Sequence, residues 1–209
     1  MPCASTDDPQ SPPLWLAHSG ILDQRHEKND LPTNPITPDQ EIIDFAQEVF
    51  KLARTGDAQT LARLLQKGLP PNMSNHKGDT LLMLAAYHGH VDATKALLDA
   101  GAEPDRYNDL AQTPLGASTF KGHLSIVELL LSHGAQPGFA PPGGKTSLMF
   151  AAMFNRLDIV KVLVARDIAI DTKSSEGLSA LELARSMGAA DTAAHLEALE
   201  TGGNPLAGE

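Results

Sequence analysis

The sequence predicts an all-α solenoid of about five helix-turn-helix units, stacked in a line and joined by β-hairpin-like turns. Three observations predict it. Thr80, Thr113, Thr146 and Ser179 follow one another at intervals of 33 residues. Each opens a short apolar run, clearest in Leu81-Leu82-Met83-Leu84-Ala85-Ala86. Glycine or a substitute then returns at fixed places in every interval. A constant period of that length marks small repeated units that bury surface only against their neighbours, rather than one closed core.

Residues 1–36 read as a proline-rich tail. Pro2, Pro9, Pro12, Pro13, Pro32 and Pro35 fall there without a sustained apolar period, and such a composition buries too little apolar surface to offset chain ordering. The exception is Leu14, Trp15, Leu16, Ile21 and Leu22, which includes the single tryptophan of the chain. Two fates fit it: docking over the open N-terminal face of the stack, since a lone Trp among aliphatics seeks apolar cover, or service as a short linear motif for a partner.

Order is expected from Thr37. Thr37-Pro38-Asp39-Gln40 reads as a capping box with proline at the first helical position. Ile42, Ile43, Phe45, Ala46, Val49, Phe50 and Ala53 follow at helical spacing, and Gly56 ends that helix. A second helix is expected near Ala58–Lys67, with Leu61, Leu64 and Leu65 inward and Gly68 as its stop.

The same grammar then repeats. Counting each Thr or Ser as position zero, position nine holds Gly89, Gly122, Asn155 and Gly188. Position seventeen holds Leu97, Leu130, Leu163 and Leu196, and position twenty-one holds Gly101, Gly134 and Asp167. Backward extension puts Gln47 at zero, so the first helix pair is a divergent copy. The units are 39–76, 77–109, 110–142, 143–175 and 176–201, within a repeat domain of 37–201 followed by a flexible C-terminal tail, 202–209. Segments 72–79, 105–112, 138–145 and 171–178 are turn-rich and are expected to project from the stack.

Gly78-Asp79-Thr80-Leu81-Leu82-Met83-Leu84-Ala85-Ala86-Tyr87-His88-Gly89-His90, with Leu97-Leu98-Asp99-Ala100-Gly101-Ala102, resembles an ankyrin repeat. Gln112-Thr113-Pro114-Leu115, Lys121-Gly122-His123 and Ile126–Ala135 match again. The resemblance covers residues 39–201. It implies L-shaped units of a hairpin and two antiparallel helices, and protein binding through the hairpin tips and concave helix ends. The third unit departs from the pattern at Gly116-Ala117-Ser118-Thr119, where Gly116 and the β-branched Thr119 lower helix propensity, and is expected to be the weak joint. The fourth departs at Asn155-Arg156 and Asp167-Ile168. The fifth is polar late in its last helix (His195, Glu197, Glu200), as a solvent-facing end should be.

Bulk properties narrow the function classes. The formal charge is -10, from 26 acids and 16 bases. No Lys/Arg cluster offsets it, so neither nucleic acid nor an anionic membrane is an expected partner. The one cysteine, Cys3, allows neither an internal disulfide nor a cysteine-rich zinc site. Met1–Gln10 lack the charge and apolar run of a secretory leader, and no stretch reaches the roughly 18–20 apolar residues of a membrane helix. A cytoplasmic protein, monomeric when free, is expected.

No catalytic constellation is visible. Gly143-Gly144-Lys145-Thr146-Ser147 looks like a phosphate loop, but that loop needs a glycine where Phe139 stands. Thr146 also keeps the 33-residue beat, so a hairpin tip accounts for the segment. His90 shares its phase with His123 and belongs to the repeat's internal bonding, which leaves His88 and His76 too few for a structural metal. No cofactor is expected.

The informative positions are seven and eight: Tyr87-His88, Phe120-Lys121, Met153-Phe154 and Ser186-Met187. In stacks of the resembled type they face the concave edge. Tyr87, Phe120 and Phe154 in one column would form an apolar stripe of good anchors, or else fill gaps between units. His76, Lys77, Asp79, Asp109, Leu110, Gln112, Pro142, Lys145, Ser175 and Glu176 would form the rim. The expected function is a non-catalytic scaffold for a protein partner. The alternative is a regulatory subunit or enzyme inhibitor acting through the tail around Trp15.

Overall fold

The computed structural model describes residues 38–166 and 168–201. The tail, the Thr37 cap, Asp167 and the C-terminal segment therefore lie outside the described residues. Ten helices are present among those described: α1 Pro38–Thr55, α2 Ala58–Gln66, α3 Leu81–His88, α4 Val91–Asp99, α5 Pro114–Lys121, α6 Leu124–Ser132, α7 Ser147–Met153, α8 Leu157–Val164, α9 Ala180–Ser186 and α10 Ala190–Glu200. They pair within five units. First helices pack on first helices (α1, α3, α5, α7, α9) and second on second (α2, α4, α6, α8, α10) along the stack.

The 33-residue beat is a capping beat. Thr80, Thr113, Thr146 and Ser179 are extended N-cap residues whose hydroxyls accept the N–H of Met83, Gly116, Met149 and Glu182. Each satisfies one of the orphan donors at a helix start. Within the first turn after the cap Leu81, Leu82, Leu115, Leu148 and Met149 are almost fully buried. Leu97, Leu130, Leu163 and Leu196 are buried in the second-helix layers and belong to one continuous core. These leucines recur at one phase because each fills the same gap between successive layers.

Neighbouring units are also keyed to one another by hydrogen bonds. His90 donates its ring Nε2–H to the Arg54 carbonyl at 2.8 Å, and His123 does the same to the Tyr87 carbonyl at 3.3 Å. The ring must therefore lie over the glycine that ends the previous first helix. Gly89 has φ 86°, and a Cβ there would sit 2.9 Å from the His123 ring. Gly56 meets the same constraint from His90. The fourth unit uses Arg156 over Gly122 instead. The fifth has no such side chain and locks differently. Asn155 takes the left-handed turn itself (φ 52°) and accepts the Thr192 N–H at 3.1 Å. The Thr192 hydroxyl, fully buried, donates to the Ala152 carbonyl at 2.8 Å.

The turns are tighter than strands. Asn75 and Asn108 each accept two backbone N–H groups, and Ser174 does so with its hydroxyl. A single bridge, Ser74 to Thr80, is the only extended pairing among the described residues. The segment before the fourth unit has Pro141 at the equivalent place and closes by a Gly144 N–H to Pro141 carbonyl bond.

The irregular helix α5 is buried from Pro114 to Thr119. Thr119 Oγ1 lacks a partner among the described residues, and an unsatisfied buried hydroxyl costs about 1–3 kcal/mol. Ala53, Ala86 and Ala152 hold that phase in other units. The first unit differs by length: α1 begins ten residues before the point where α3 would start, in the place of a hairpin.

Two measurements check this account. Gly89→Ala and Gly101→Ala both force alanine into left-handed backbone, at about 1–2 kcal/mol. Gly101 has nothing within 4 Å of the new methyl, so Gly89→Ala should cost visibly more in urea titration, and equal losses would refute the histidine key. Glu182 accepts from Lys173 at 2.7 Å and from the Ser179 N–H at 2.6 Å. These bonds hold its carboxyl at about 2 against an ordinary 4.5. Between those values the unfolded chain binds the extra proton, so this stabilisation is complete above pH 4.5 and disappears as pH falls toward 2. Glu182→Gln should lower Tm at pH 7 and flatten the acid limb of a Tm-against-pH curve.

Candidate functional site

Three first helices present the same edge to solvent, and their rings meet. Tyr87 stacks on Phe120 with centroids 6.4 Å apart and planes 11° apart. Phe120 meets Phe154 edge-on at 4.6 Å. Each ring leaves from the last turn of α3 or α5, or just past α7, so the layer spacing sets the ladder. Tyr87 and Phe120 remain about one third exposed, and Phe154 is half-buried. Lys121 places its Nζ 5.1 Å above the Tyr87 ring, within the range of a cation–π contact.

This ladder is one wall of a groove of about 630 Å³ that crosses units two to four. Its floor is Met83, Leu84, Gly116, Ala117, Phe150 and Met153, and the hairpin tips close the other side with Lys77, Asp79, Asn108, Leu110, Gln112 and Lys145. Gly116 is a packing choice: a Cβ there would come within 3.3 Å of the Phe150 ring. The small residues that make α5 a poor helix thus hollow out the groove.

Ten sequence-predicted site residues come together here: Tyr87, His88, Phe120, Met153, Phe154, Lys77, Asp79, Leu110, Gln112 and Lys145. His76, Asp109 and Lys121 do not line it. His76 is exposed on its tip. Asp109 donates its backbone N–H to the Lys77 carbonyl and so ties two tips together. Ser186 and Met187 continue the phase but stand beyond the groove, Met187 half exposed. The expectation for Trp15 falls outside the described residues. Sequence reasoning missed Leu84, Phe150, Asn108 and Ala111. The signal for the first two was available: position four lies one turn before positions seven and eight on the same helix face.

Charge on this edge runs against the chain as a whole. Lys77 and Lys145 line the groove, and Lys145 pairs with Glu176 at 3.5 Å. Asp79 is held by Asn108 at 2.7 Å and Asn75 at 3.1 Å. Partial burial, then the positive neighbours His90, Arg54, Lys121 and His123, lower the His88 pKa below the ordinary imidazole value. That shift favours the neutral ring of His88, which meets the Tyr87 ring edge-on at 5.2 Å. The groove holds a single carboxylate, and no group of three or more His, Cys, Asp or Glu among the described residues is placed to hold a metal ion. Its chemistry is apolar contact framed by hydrogen-bonding tips.

Comparison with known proteins gives the same architecture. A family model described as ankyrin repeats (3 copies) matches residues 49–140, and a second, described as ankyrin repeats (many copies), matches 130–184. A Pseudomonas aeruginosa protein whose name describes it as an ankyrin repeat protein is 58% identical over 57 residues. That alignment covers 27% of this chain, and this chain spans only 33% of that relative.

The tip residue Ala111 carries a testable strain. Its φ is 55°, in the left-handed region where Gly78 and Gly177 hold the same phase. Ala111→Gly should raise stability by about 0.5–1 kcal/mol in denaturant titration, the net of relieved strain and a freer unfolded chain. A loss would show the tip to be unstrained.

Proposed function

The chain belongs to the ankyrin repeat family, and from that premise we propose that it is a non-catalytic scaffold that captures a protein partner in the groove of units two to four. Ankyrin repeats are in general protein–protein interaction modules, typically without catalysis. The observation that carries the proposal is the contiguous ladder Tyr87–Phe120–Phe154, part-exposed above an apolar floor. Exposed apolar surface is costly to keep unless something covers it, and clustered aromatic rings are the usual anchors of an interface.

The mechanism is pre-organisation. The rings project from capped helices in a stacked core, so the host loses little freedom on binding. Asn75 and Asn108 fix the tips by side-chain bonds to their own backbones. Lys77, Gln112 and Lys145 then offer donors at defined places along a bound chain. The proposed setting is the cytoplasm, and the proposed free state is a monomer. No helix among the described residues is long and apolar enough to cross a membrane.

The test is the triple variant Tyr87→Ala, Phe120→Ala, Phe154→Ala. Affinity capture with mass spectrometry identifies the partner of the unaltered chain. The variant should then bind it at least about 30-fold more weakly, the loss expected for hot-spot anchors. Its Tm should fall, but the chain should stay helical at room temperature and unfold cooperatively, since none of the three rings belongs to the buried core cluster. A collapse in Tm would make the rings core. Unchanged affinity would place binding elsewhere.

A further inference from the structure

We propose that residues 14–22 of this chain, Leu14-Trp15-Leu16 through Ile21-Leu22, occupy the aromatic groove in cis and must leave it before a partner binds. The inference rests on the groove being the binding site, and three observations carry it. The first is reach. Chain enters α1 from the hairpin side, because α1 replaces the first hairpin with ten extra residues, about 15 Å of helix. The 15 residues 23–37 can span up to about 50 Å. Phe154 stands three layers from α1, about 30 Å at 8–10 Å per layer.

The second observation is where apolar surface stands uncovered. In the first unit, Ile43 is the one exposed large apolar side chain among the described residues. The open end of the stack therefore offers a tryptophan little to bury against. The groove offers Tyr87, Phe120 and Leu110, the last 73% exposed. The third is charge. Residues 1–37 carry five acids and two bases, and Asp7, Asp8 and Asp23 flank the apolar run. The groove's one lining acid, Asp79, is already engaged, whereas Lys77 lines it and Lys121 and Arg54 adjoin His88. An apolar run with aromatic and aliphatic anchors, carrying no acid itself but bordered by Asp8 and Asp23, is the complement of an apolar groove edged by lysines. A foreign partner would then carry similar features, and would compete against a tethered ligand whose effective concentration is set by the linker.

Trp15 is the only tryptophan in the chain, so its emission reports the segment alone in the full-length protein. The expected result is a blue-shifted spectrum and several-fold weaker acrylamide quenching than in a synthetic peptide of residues 11–24. Both should be independent of protein concentration. Phe120→Ala should return the emission toward that of the peptide. Lys77→Glu with Lys145→Glu, which leaves the core untouched, should weaken docking most at low salt. Trp15→Ala should let the added peptide bind about tenfold more tightly by removing the tethered competitor. Peptide-like emission from the unaltered chain overturns the proposal, as does a buried Trp15 indifferent to both groove variants. Concentration-dependent burial assigns the occupant to a second copy and equally ends it. A chain with water-exposed Trp15 whose partner capture still needs Tyr87, Phe120 and Phe154 would leave the scaffold reading intact.

Discussion

No unit of this chain can cover its own apolar face, and everything else in the structure follows from that. Two short helices bury one side against each other and expose a second to the next layer. The face is complementary to itself after one repeat, so position seventeen must be leucine-sized in every layer. Leu97, Leu130 and Leu163 meet that requirement with no exposed surface. A core built this way has no centre. Its stability is a sum over interfaces, and a defect such as the unpartnered hydroxyl of Thr119 is felt by the layers beside it rather than by the whole.

Apolar contact alone would let layers slide by a fraction of a turn, and the polar keys prevent it. His90 and His123 each reach one carbonyl of the unit before, through a gap that only glycine leaves open. In the fourth unit Arg156 stands in for the histidine over an unchanged Gly122; in the fifth both partners change together. Asn155 replaces glycine and Thr192 supplies the donor. The departures in the fourth and fifth units are thus a second solution to the same register problem, and not decay of the motif.

Much of this was legible in the sequence because it is written at fixed phases. Caps, glycine stops and the leucine column each repeat, and a repeated signal survives local noise. Tyr87 and Phe120, both at position seven, were legible for the same reason, and Phe154 at position eight meets Phe120 because positions seven and eight share one edge of the stack. What escaped was set by single contacts between dissimilar residues. Gly116 reads as a flaw in a helix until the tight space above it is seen, where a Cβ would stand 3.2 Å from Thr113 Oγ1 and 3.3 Å from the Phe150 ring. Leu84 and Phe150 were not singled out, although position four shares a helix face with positions seven and eight, and both line the groove. Asp109 reads as a tip residue, whereas its backbone is spent joining two tips.

The division of labour within the repeat explains why a binding surface can exist here without weakening the stack. Positions zero, nine and seventeen carry capping, turning and layer packing, and they are filled by a narrow set of residues. Positions seven and eight meet mainly one another along the stack: Tyr87 on Phe120, Phe120 on Phe154 and Lys121 over Tyr87. They hold Tyr, His, Phe, Lys, Met and Ser across the units, a chemically wider set than positions zero, nine and seventeen hold. Selection for a partner can therefore act on those positions while stability is held by the others. The groove crosses the third unit, where Gly116 lines it at a cost in helix propensity and Ala117 keeps the side chain small. Some local stability is thus exchanged for concavity at the place where three aromatic rings converge.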